Sequence, residues 1–138
     1  MASLLVIDDE ADVRDALWVT LIAVGHHVRV ATNGPEGLAA CLAATPDLVI
    51  TDLIMPIAHG FDVITQLRAK YPTIRIIAIS GGGNYWTQSY QPDTVTTSAY
   101  LTAALDMGAD LILSKPFDCD ELVNVVKQVL QGPVWSRP

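Results

Sequence analysis

The sequence has few cysteines and no long apolar run, and each shortage excludes a class of protein. Its two cysteines, Cys41 and Cys119, lie far apart and outside any C-x-x-C pattern. This spacing favours reduced, mostly packed thiols over a disulfide framework or a zinc site. No apolar stretch is long enough to span a membrane, and the N-terminus lacks the features of a signal peptide. We therefore expect a cytosolic chain that does not contact membranes.

Basic residues are also scarce. The chain has 8 Lys and Arg against 15 Asp and Glu, a formal net charge of -7, and its basic residues form no run. Proteins that bind duplex nucleic acid carry a basic surface, so we expect no direct contact with nucleic acid. The 138 residues, 51% of them hydrophobic, suit one compact domain with a substantial core.

Strand-like and helix-like segments alternate along the chain and make five β/α units. Apolar, β-branched runs predict strands at 4–7, 27–31, 48–51, 74–79 and 111–113, and helical periodicity predicts helices at 11–24, 36–44, 61–70, 98–107 and 120–130. Strands that are apolar on both faces and alternate with helices form a parallel sheet covered on each side. The pattern therefore predicts a doubly wound α/β fold.

Polar residues follow the predicted strands at the points where the strands end. The stretch LLVIDDEADVR passes directly from a buried strand into three acids, and three later strands also end in polar residues. In doubly wound sheets, ligands bind beyond the carboxyl ends of the strands. We therefore expect one shared site built from Asp8, Asp9, Asp52, Ser80 and Lys115.

The charges of this predicted site indicate a metal ion. Carboxylates that lie close together resist simultaneous ionisation unless a cation or a shared proton relieves their repulsion. Asp8, Asp9 and Asp52 with one nearby lysine, Lys115, make an anionic oxygen pocket of the kind that suits Mg²⁺. Glu10, in the first helical turn, is interpreted as a solvated residue or a helix N-cap.

This ordered set of residues resembles the receiver domain of two-component response regulators. The resemblance rests on Asp8-Asp9 after strand one, D-L-I-M-P with Asp52 after strand three, Ser80 after strand four, and K-P-F with Lys115 after strand five. It covers roughly residues 3 to 131. It implies a flavodoxin-like, five-stranded parallel sheet with strand order 2-1-3-4-5, in a domain spanning residues 1–131 and followed by a tail at 132–138.

The resemblance assigns Asp52 as phosphoacceptor and places Mg²⁺ at the acids. It implies that Asp9 binds the ion directly, that Asp8 holds it largely through water, and that Asp52 and the backbone carbonyl of Ile54 complete the metal ligands.

The remaining assignments concern the phosphoryl group. Ser80 and Lys115 match the residues that contact it in this family, and Pro116 matches a proline whose preceding peptide bond is usually cis. Gly81, which has no side chain, would let the phosphoryl group approach the backbone closely.

The resemblance also implies partners. We expect a sensor histidine kinase or a histidine phosphotransfer protein as phosphodonor, and a switch rather than an enzyme with turnover. The downstream target is left open, and a homodimer through the face of the fourth helix, fifth strand and fifth helix is allowed.

Two features depart from the family pattern. Ile112 stands where receivers commonly carry Tyr or Phe, three residues before the lysine. The loop after strand four is about a dozen residues longer than usual. We define it as 81–97, and with the residues up to Tyr100 it is rich in aromatics, including Tyr85 and Trp86. It is interpreted as a passive insertion or a contact surface that moves with the phosphoryl state.

Two other functions remain open on the sequence alone. A flavodoxin-like electron carrier would share the fold and bind FMN, although the acid cluster would repel its phosphate. A phosphatase with an aspartyl nucleophile would share the general architecture, but Asp8-Asp9-Glu10 lacks the D-x-D pattern of that family.

Overall fold

The computed structural model describes residues 2–53, 60–80 and 104–133, without the side chains of Phe61 and Ser80. Its elements are, in chain order, β1 (Ser3–Ile7), α1 (Ala11–Ala23), β2 (His27–Ala31), α2 (Gly34–Ala43), β3 (Leu48–Asp52), α3 (Gly60–Lys70), β4 (Arg75–Ser80), β5 (Leu111–Ser114) and α4 (Cys119–Gln131). The predicted helix at 98–107 falls mostly outside the described residues, but residues 104–107 are helical.

The five strands form one parallel sheet in the order β2-β1-β3-β4-β5. This order confirms the predicted doubly wound fold. In this order β2 lies on one flank of β1, whereas β3, β4 and β5 follow one another on the other flank. The strand order therefore reverses next to β1, where such folds place their ligand sites.

The two faces of the sheet are covered by different helices. Alternate residues of each strand point to opposite faces, so Leu5 and Ile7 join the apolar layer under α2 and α3, whereas Leu4 and Val6 join the layer under α1 and α4. The helix α1 adds Leu17 to the second layer. Burial on both faces explains why the strands read as continuous apolar runs.

Three arginines hold the helix ends at the amino edge of the sheet. Arg29 of β2 donates hydrogen bonds to the carbonyls of Ala40 and Ala44 at the end of α2, and Arg75 of β4 donates to those of Val129 and Gly132 at the end of α4. The last carbonyls of a helix have no partner within the helix and carry partial negative charge. The guanidinium groups therefore satisfy these carbonyls and complement the helix dipoles.

The third arginine, Arg68, is buried and links α3 to the start of β5. It donates hydrogen bonds to the carbonyls of Gly108, Pro72 and Ile74, and its Nη2 lies 2.8 Å from the Asp110 carboxylate. Gly108 has a φ of 126°, and a Cβ there would collide with the Arg68 side chain, so glycine is required at this position.

We predict that Arg68→Ala destabilises the protein by about 3 kcal/mol, because it leaves several carbonyls without their donor and leaves the Asp110 carboxylate with the Ile76 N–H but without its cation. Urea unfolding followed by circular dichroism measures this change. The matched control is Lys70→Ala, which removes an exposed cation from the same helix and should change the free energy of unfolding by less than about 0.5 kcal/mol. Equal effects of the two substitutions would contradict the assignment of Arg68 as a buried anchor.

Candidate functional site

Asp8, Asp52 and Lys115 lie at the carboxyl edge of the sheet on one face, because each continues the alternation of a strand. Asp8 follows Leu4 and Val6, Asp52 follows Leu48 and Ile50, and Lys115 follows Leu113, all of which belong to the layer under α1 and α4. The backbone N–H of Asp8 still donates to the Ala31 carbonyl of β2, so the strand geometry extends to the carboxylate.

The side chain of Lys115 joins this group of acids. Its Nζ lies 3.3 Å from Asp8 Oδ2, 3.4 Å from Glu10 Oε1 and 3.6 Å from Asp52 Oδ2. Asp8 and Asp52 are 1% and 2% exposed, and the lysine side chain is 8% exposed. One ammonium group thus serves three carboxylates where little water reaches them.

The four acids Asp8, Asp9, Glu10 and Asp52 each offer an oxygen within 4.8 Å of the others. Asp9 is the exposed member and Asp8 and Asp52 are the buried ones. A hard divalent cation prefers such a set of carboxylate oxygens, and an exposed member leaves room for the waters that Mg²⁺ retains. The residues present therefore fit a divalent metal ion.

The pKa shifts show that these charges are imperfectly balanced. Burial raises the pKa of the Asp8 carboxyl above its usual value, and the nearby Lys115 ammonium and the Glu10 N–H offset this only in part. Burial alone would lower the pKa of the Lys115 ammonium, but Asp52, Asp8 and Glu10 together raise it. The carboxylates therefore stabilise the charged form of the lysine, whereas burial destabilises the charged form of Asp8.

Backbone contacts fix the position of Asp8. Its Oδ1 accepts a hydrogen bond of 2.9 Å from the N–H of Glu10, and its carbonyl accepts one of 3.0 Å from Arg14 Nη1. The side chain and the carbonyl of Asp8 are thus both held by hydrogen bonds from residues at the start of α1. The peptide bond between Lys115 and Pro116 is cis.

Glu10 was interpreted as a solvated residue or helix cap, and that interpretation missed its main contact. It occupies the N-cap position of α1, but its side chain makes no capping hydrogen bond and instead reaches Lys115. The sequence contained a signal for this contact. Glu10 comes two residues after Asp8 and so continues the alternation that turns Asp8 toward Lys115.

The other predicted site residues are described only in part or not at all. The backbone of Ser80 ends β4 and pairs with Ser114, but its side chain lies outside the described residues. Ile54, Gly81 and the loop at 81–97 also lie outside them. The prediction of mostly packed thiols holds for Cys41, which is buried, but is wrong for Cys119, which is exposed because it begins α4 at the surface.

Comparison with known proteins identifies the family. The family model of the response regulator receiver domain matches residues 4–127. The chain belongs to this receiver domain family. Neither the electron carrier nor the phosphatase is supported, because the relatives described next are response regulators.

Two relatives at the level of sequence are transcriptional regulators. The chain is 34% identical over 131 residues to the DNA-binding transcriptional regulator NtrC of Azospirillum brasilense, covering 95% of this chain and 24% of NtrC. It is 35% identical over 127 residues to the transcriptional regulatory protein PrrA of Mycobacterium tuberculosis, covering 92% of this chain and 49% of PrrA. The chain thus spans a quarter to a half of these relatives.

Two solved structures match the fold along almost the whole of both chains. The receiver domain of NtrX from Brucella abortus gives a TM-score of 0.80 at 28% identity, covering 94% of this chain and 99% of that one. The chemotaxis protein CheY4 of Vibrio cholerae gives 0.77 at 26% identity, covering 94% and 98%. No helix in the described part of this chain is long and apolar enough to cross a membrane.

The raised pKa of Asp8 predicts how stability depends on pH without metal. A carboxyl with a higher pKa in the folded than in the unfolded protein binds its proton more tightly when folded, so stability falls as pH rises from the usual pKa of 3.8 through the raised value. We therefore predict that Asp8→Asn stabilises the metal-free protein at neutral pH by more than the roughly 0.5 kcal/mol expected of a surface substitution.

Urea unfolding with a chelator present measures this gain, which should shrink in acid, where Asp8 is protonated in both states. Asp15→Asn is the matched control, because Asp15 is exposed on α1 and its substitution should change stability by less than about 0.5 kcal/mol. A loss of stability in Asp8→Asn at neutral pH would mean that the pairing with Lys115 outweighs the cost of burial.

Proposed function

We propose that this domain is a signalling switch in which the Asp52 carboxylate accepts a phosphoryl group from a sensor histidine kinase or a histidine phosphotransfer protein. The observation that carries this proposal is the position of Asp52, a buried carboxylate at the end of β3, 3.6 Å from the Lys115 ammonium and within the cluster of four acids. Family membership supports the same role.

In the proposed transfer, an Asp52 oxygen attacks phosphorus and forms the acyl phosphate bond. The bond between phosphorus and the donor's histidine nitrogen breaks, and that nitrogen keeps the electron pair. Lys115 already lies close enough to Asp52 to neutralise charge on the transferred oxygens without a large rearrangement. The rigid end of β3 holds the nucleophile in place, as in-line transfer requires.

We further propose that Asp8, Asp9 and Asp52 hold Mg²⁺, with the backbone carbonyl of Ile54 as an additional ligand. When bound, the ion supplies positive charge that relieves repulsion among the acids and stabilises the phosphoryl oxygens. The chain's own contribution is to keep two of the carboxylates buried and preorganised and to leave Asp9 accessible.

The acyl phosphate would carry about two negative charges beside Lys115, in place of the single charge of the Asp52 carboxylate. The lysine now shares its charge among three carboxylates, so a new, stronger anion would draw its ammonium away from Glu10 and Asp8. Ser80 and Gly81 are proposed to contact the same phosphoryl group. The switch therefore consists of a redistribution of one cation among competing anions, with one transfer per signalling event.

For the output of the switch, we propose only the kind of component that delivers it. The chain spans a quarter to a half of NtrC and PrrA, which are transcriptional regulators, so a downstream protein or an attached module could deliver the response. Dimerisation through the face of the 98–107 helix, β5 and α4, and a switching role for the 81–97 loop, stay predictions, because much of both regions lies outside the described residues.

We predict that Asp52→Asn abolishes phosphorylation and leaves the fold intact, because an amide keeps the shape of the side chain but lacks the anionic oxygen that attacks phosphorus. Intact mass spectrometry after incubation with acetyl phosphate and Mg²⁺ should show one hydroxylamine-labile adduct on the wild type and none on the variant. Asp62→Asn, at an exposed position of α3, is the matched control and should label normally. Labelling of the Asp52→Asn variant at another carboxylate would refute the assignment.

We also predict that Lys115→Met binds Mg²⁺ more tightly than the wild type, by roughly threefold or more, yet accepts the phosphoryl group more slowly. The substitution removes the cation that competes with the metal for Asp8 and Asp52, and it also removes the charge that neutralises the transferring oxygens. Isothermal titration measures the affinity and the adduct assay measures the rate. Lys127→Met, on the exposed side of α4, controls for the loss of one positive charge. Weaker Mg²⁺ binding by Lys115→Met would show that the lysine supports the metal site.

A further inference from the structure

A cavity of about 470 Å³ lies between α1 and the start of α4, beside the acid cluster. Its volume lies in the range of small-molecule sites. Most of its surface is apolar, and the apolar side chains come from both helices and from the segment that joins β5 to α4. They are Val13, Ala16, Leu17, Pro116, Phe117 and Leu122.

The charged groups of this cavity are mainly negative. Three acidic residues, Glu10, Asp12 and Asp118, line it together with one basic residue, Lys115. That ammonium is already shared among Asp8, Glu10 and Asp52, two of which lie behind the cavity wall. Five carboxylates against one ammonium outweigh the partial positive charge that the N-termini of α1 and α4 place here, so the potential in the cavity favours a cation, and the net charge of the chain is also negative.

We propose that this cavity is a binding site for a small organic cation, an ammonium group carried on an aromatic or branched aliphatic body. The apolar walls match the body, and the carboxylates of Glu10 and Asp12 match the ammonium group. The concave shape and the volume fit a free small molecule, which can be enclosed on several sides.

Binding at this cavity would reach the phosphoryl site, since Glu10 and Lys115 belong to both. A ligand ammonium beside Glu10 competes with Lys115 for that carboxylate and adds positive charge near the acid cluster. The ligand and a divalent cation should then weaken each other's binding by the same factor. This consequence rests on the proposed function, whereas the binding itself does not.

Three probes of similar size and different charge test the proposal on the full, metal-free chain. They are phenethylammonium, 2-phenylethanol and phenylacetate. We expect phenethylammonium to bind at least roughly fivefold more tightly than the alcohol, and phenylacetate to bind most weakly, because only the charge differs substantially among them. Isothermal titration or chemical-shift titration gives the dissociation constants. Equal affinities, or no binding by phenethylammonium, would overturn the proposal.

The chain carries its own reporter of occupancy. Cys119 lines the cavity and is exposed, whereas Cys41 is buried, so alkylation with iodoacetamide should report on Cys119. Phenethylammonium should slow this alkylation roughly in proportion to the fraction of protein molecules that have bound it. Binding that leaves the alkylation rate unchanged would place the probe elsewhere and refute the site.

Two substitutions locate the ligand within the cavity. Asp12→Asn should weaken phenethylammonium roughly threefold without affecting the alcohol, whereas Asp15→Asn, which removes the same charge from α1 outside the cavity lining, should have little effect. Ala16→Phe should fill the cavity and abolish binding of both probes, with folding checked by circular dichroism. Equal weakening by Asp12→Asn and Asp15→Asn would reduce the effect to general charge attraction and overturn the proposal.

These measurements require neither phosphorylation nor Mg²⁺. If Asp52 proved not to be the phosphoacceptor, the binding proposal would be unaffected. If phenethylammonium did not bind, the assignment of Asp52 would be unaffected.

Discussion

The sharing of the single Lys115 ammonium among Asp8, Glu10 and Asp52 is the interaction on which the site depends. Two of these carboxylates are almost fully buried, and burial makes an ionised carboxylate costly unless a cation lies near it. One positive charge reduces that cost but does not remove it, as the raised pKa of Asp8 shows. Further positive charge would therefore lower the free energy of the site, which favours the binding of a metal ion proposed for these acids.

Three of the arginines lie at the edge of the sheet opposite the acids. Arg29, Arg68 and Arg75 lie at the amino edge of the sheet, where they bind the carbonyls that end helices or enter strands. Helices that return antiparallel to the strands place their negative ends at that edge and their positive ends at the carboxyl edge. Arg29, Arg68 and Arg75 thus find their partners away from the acids, and Arg14, which lies at the acid edge, donates to the Asp8 carbonyl.

Much of this arrangement could be predicted from the sequence, and the limits have physical causes. The apolar runs and the polar residues after them predicted that Asp8, Asp52 and Lys115 would share one edge, because the period of a strand and the rule for parallel sheets are local and general. The contact of Glu10 with Lys115 was missed, although Glu10 continues the alternation of Asp8, because Glu10 lies beyond the end of the strand and the contact depends on how far two side chains reach across the sheet. The helix predicted at 11–24 ends one residue earlier, because Val24 follows the last helical turn and is 40% exposed.

Ile112 shows how the site connects to the rest of the domain. It is partly buried and packs against the apolar layer under α2 and α3, whereas Leu113, the next residue, belongs to the layer under α1 and α4. Lys115 continues the face of Leu113 and is followed at once by Pro116, Phe117 and Asp118, whose side chain caps α4. Phe117 packs against the α1 and α4 layer, so the ammonium is linked to that layer by two residues of chain. An aliphatic side chain at 112 cannot present a hydroxyl at the edge of the sheet. Phe117 therefore places the packing between α1 and α4 two residues from the charge of the site.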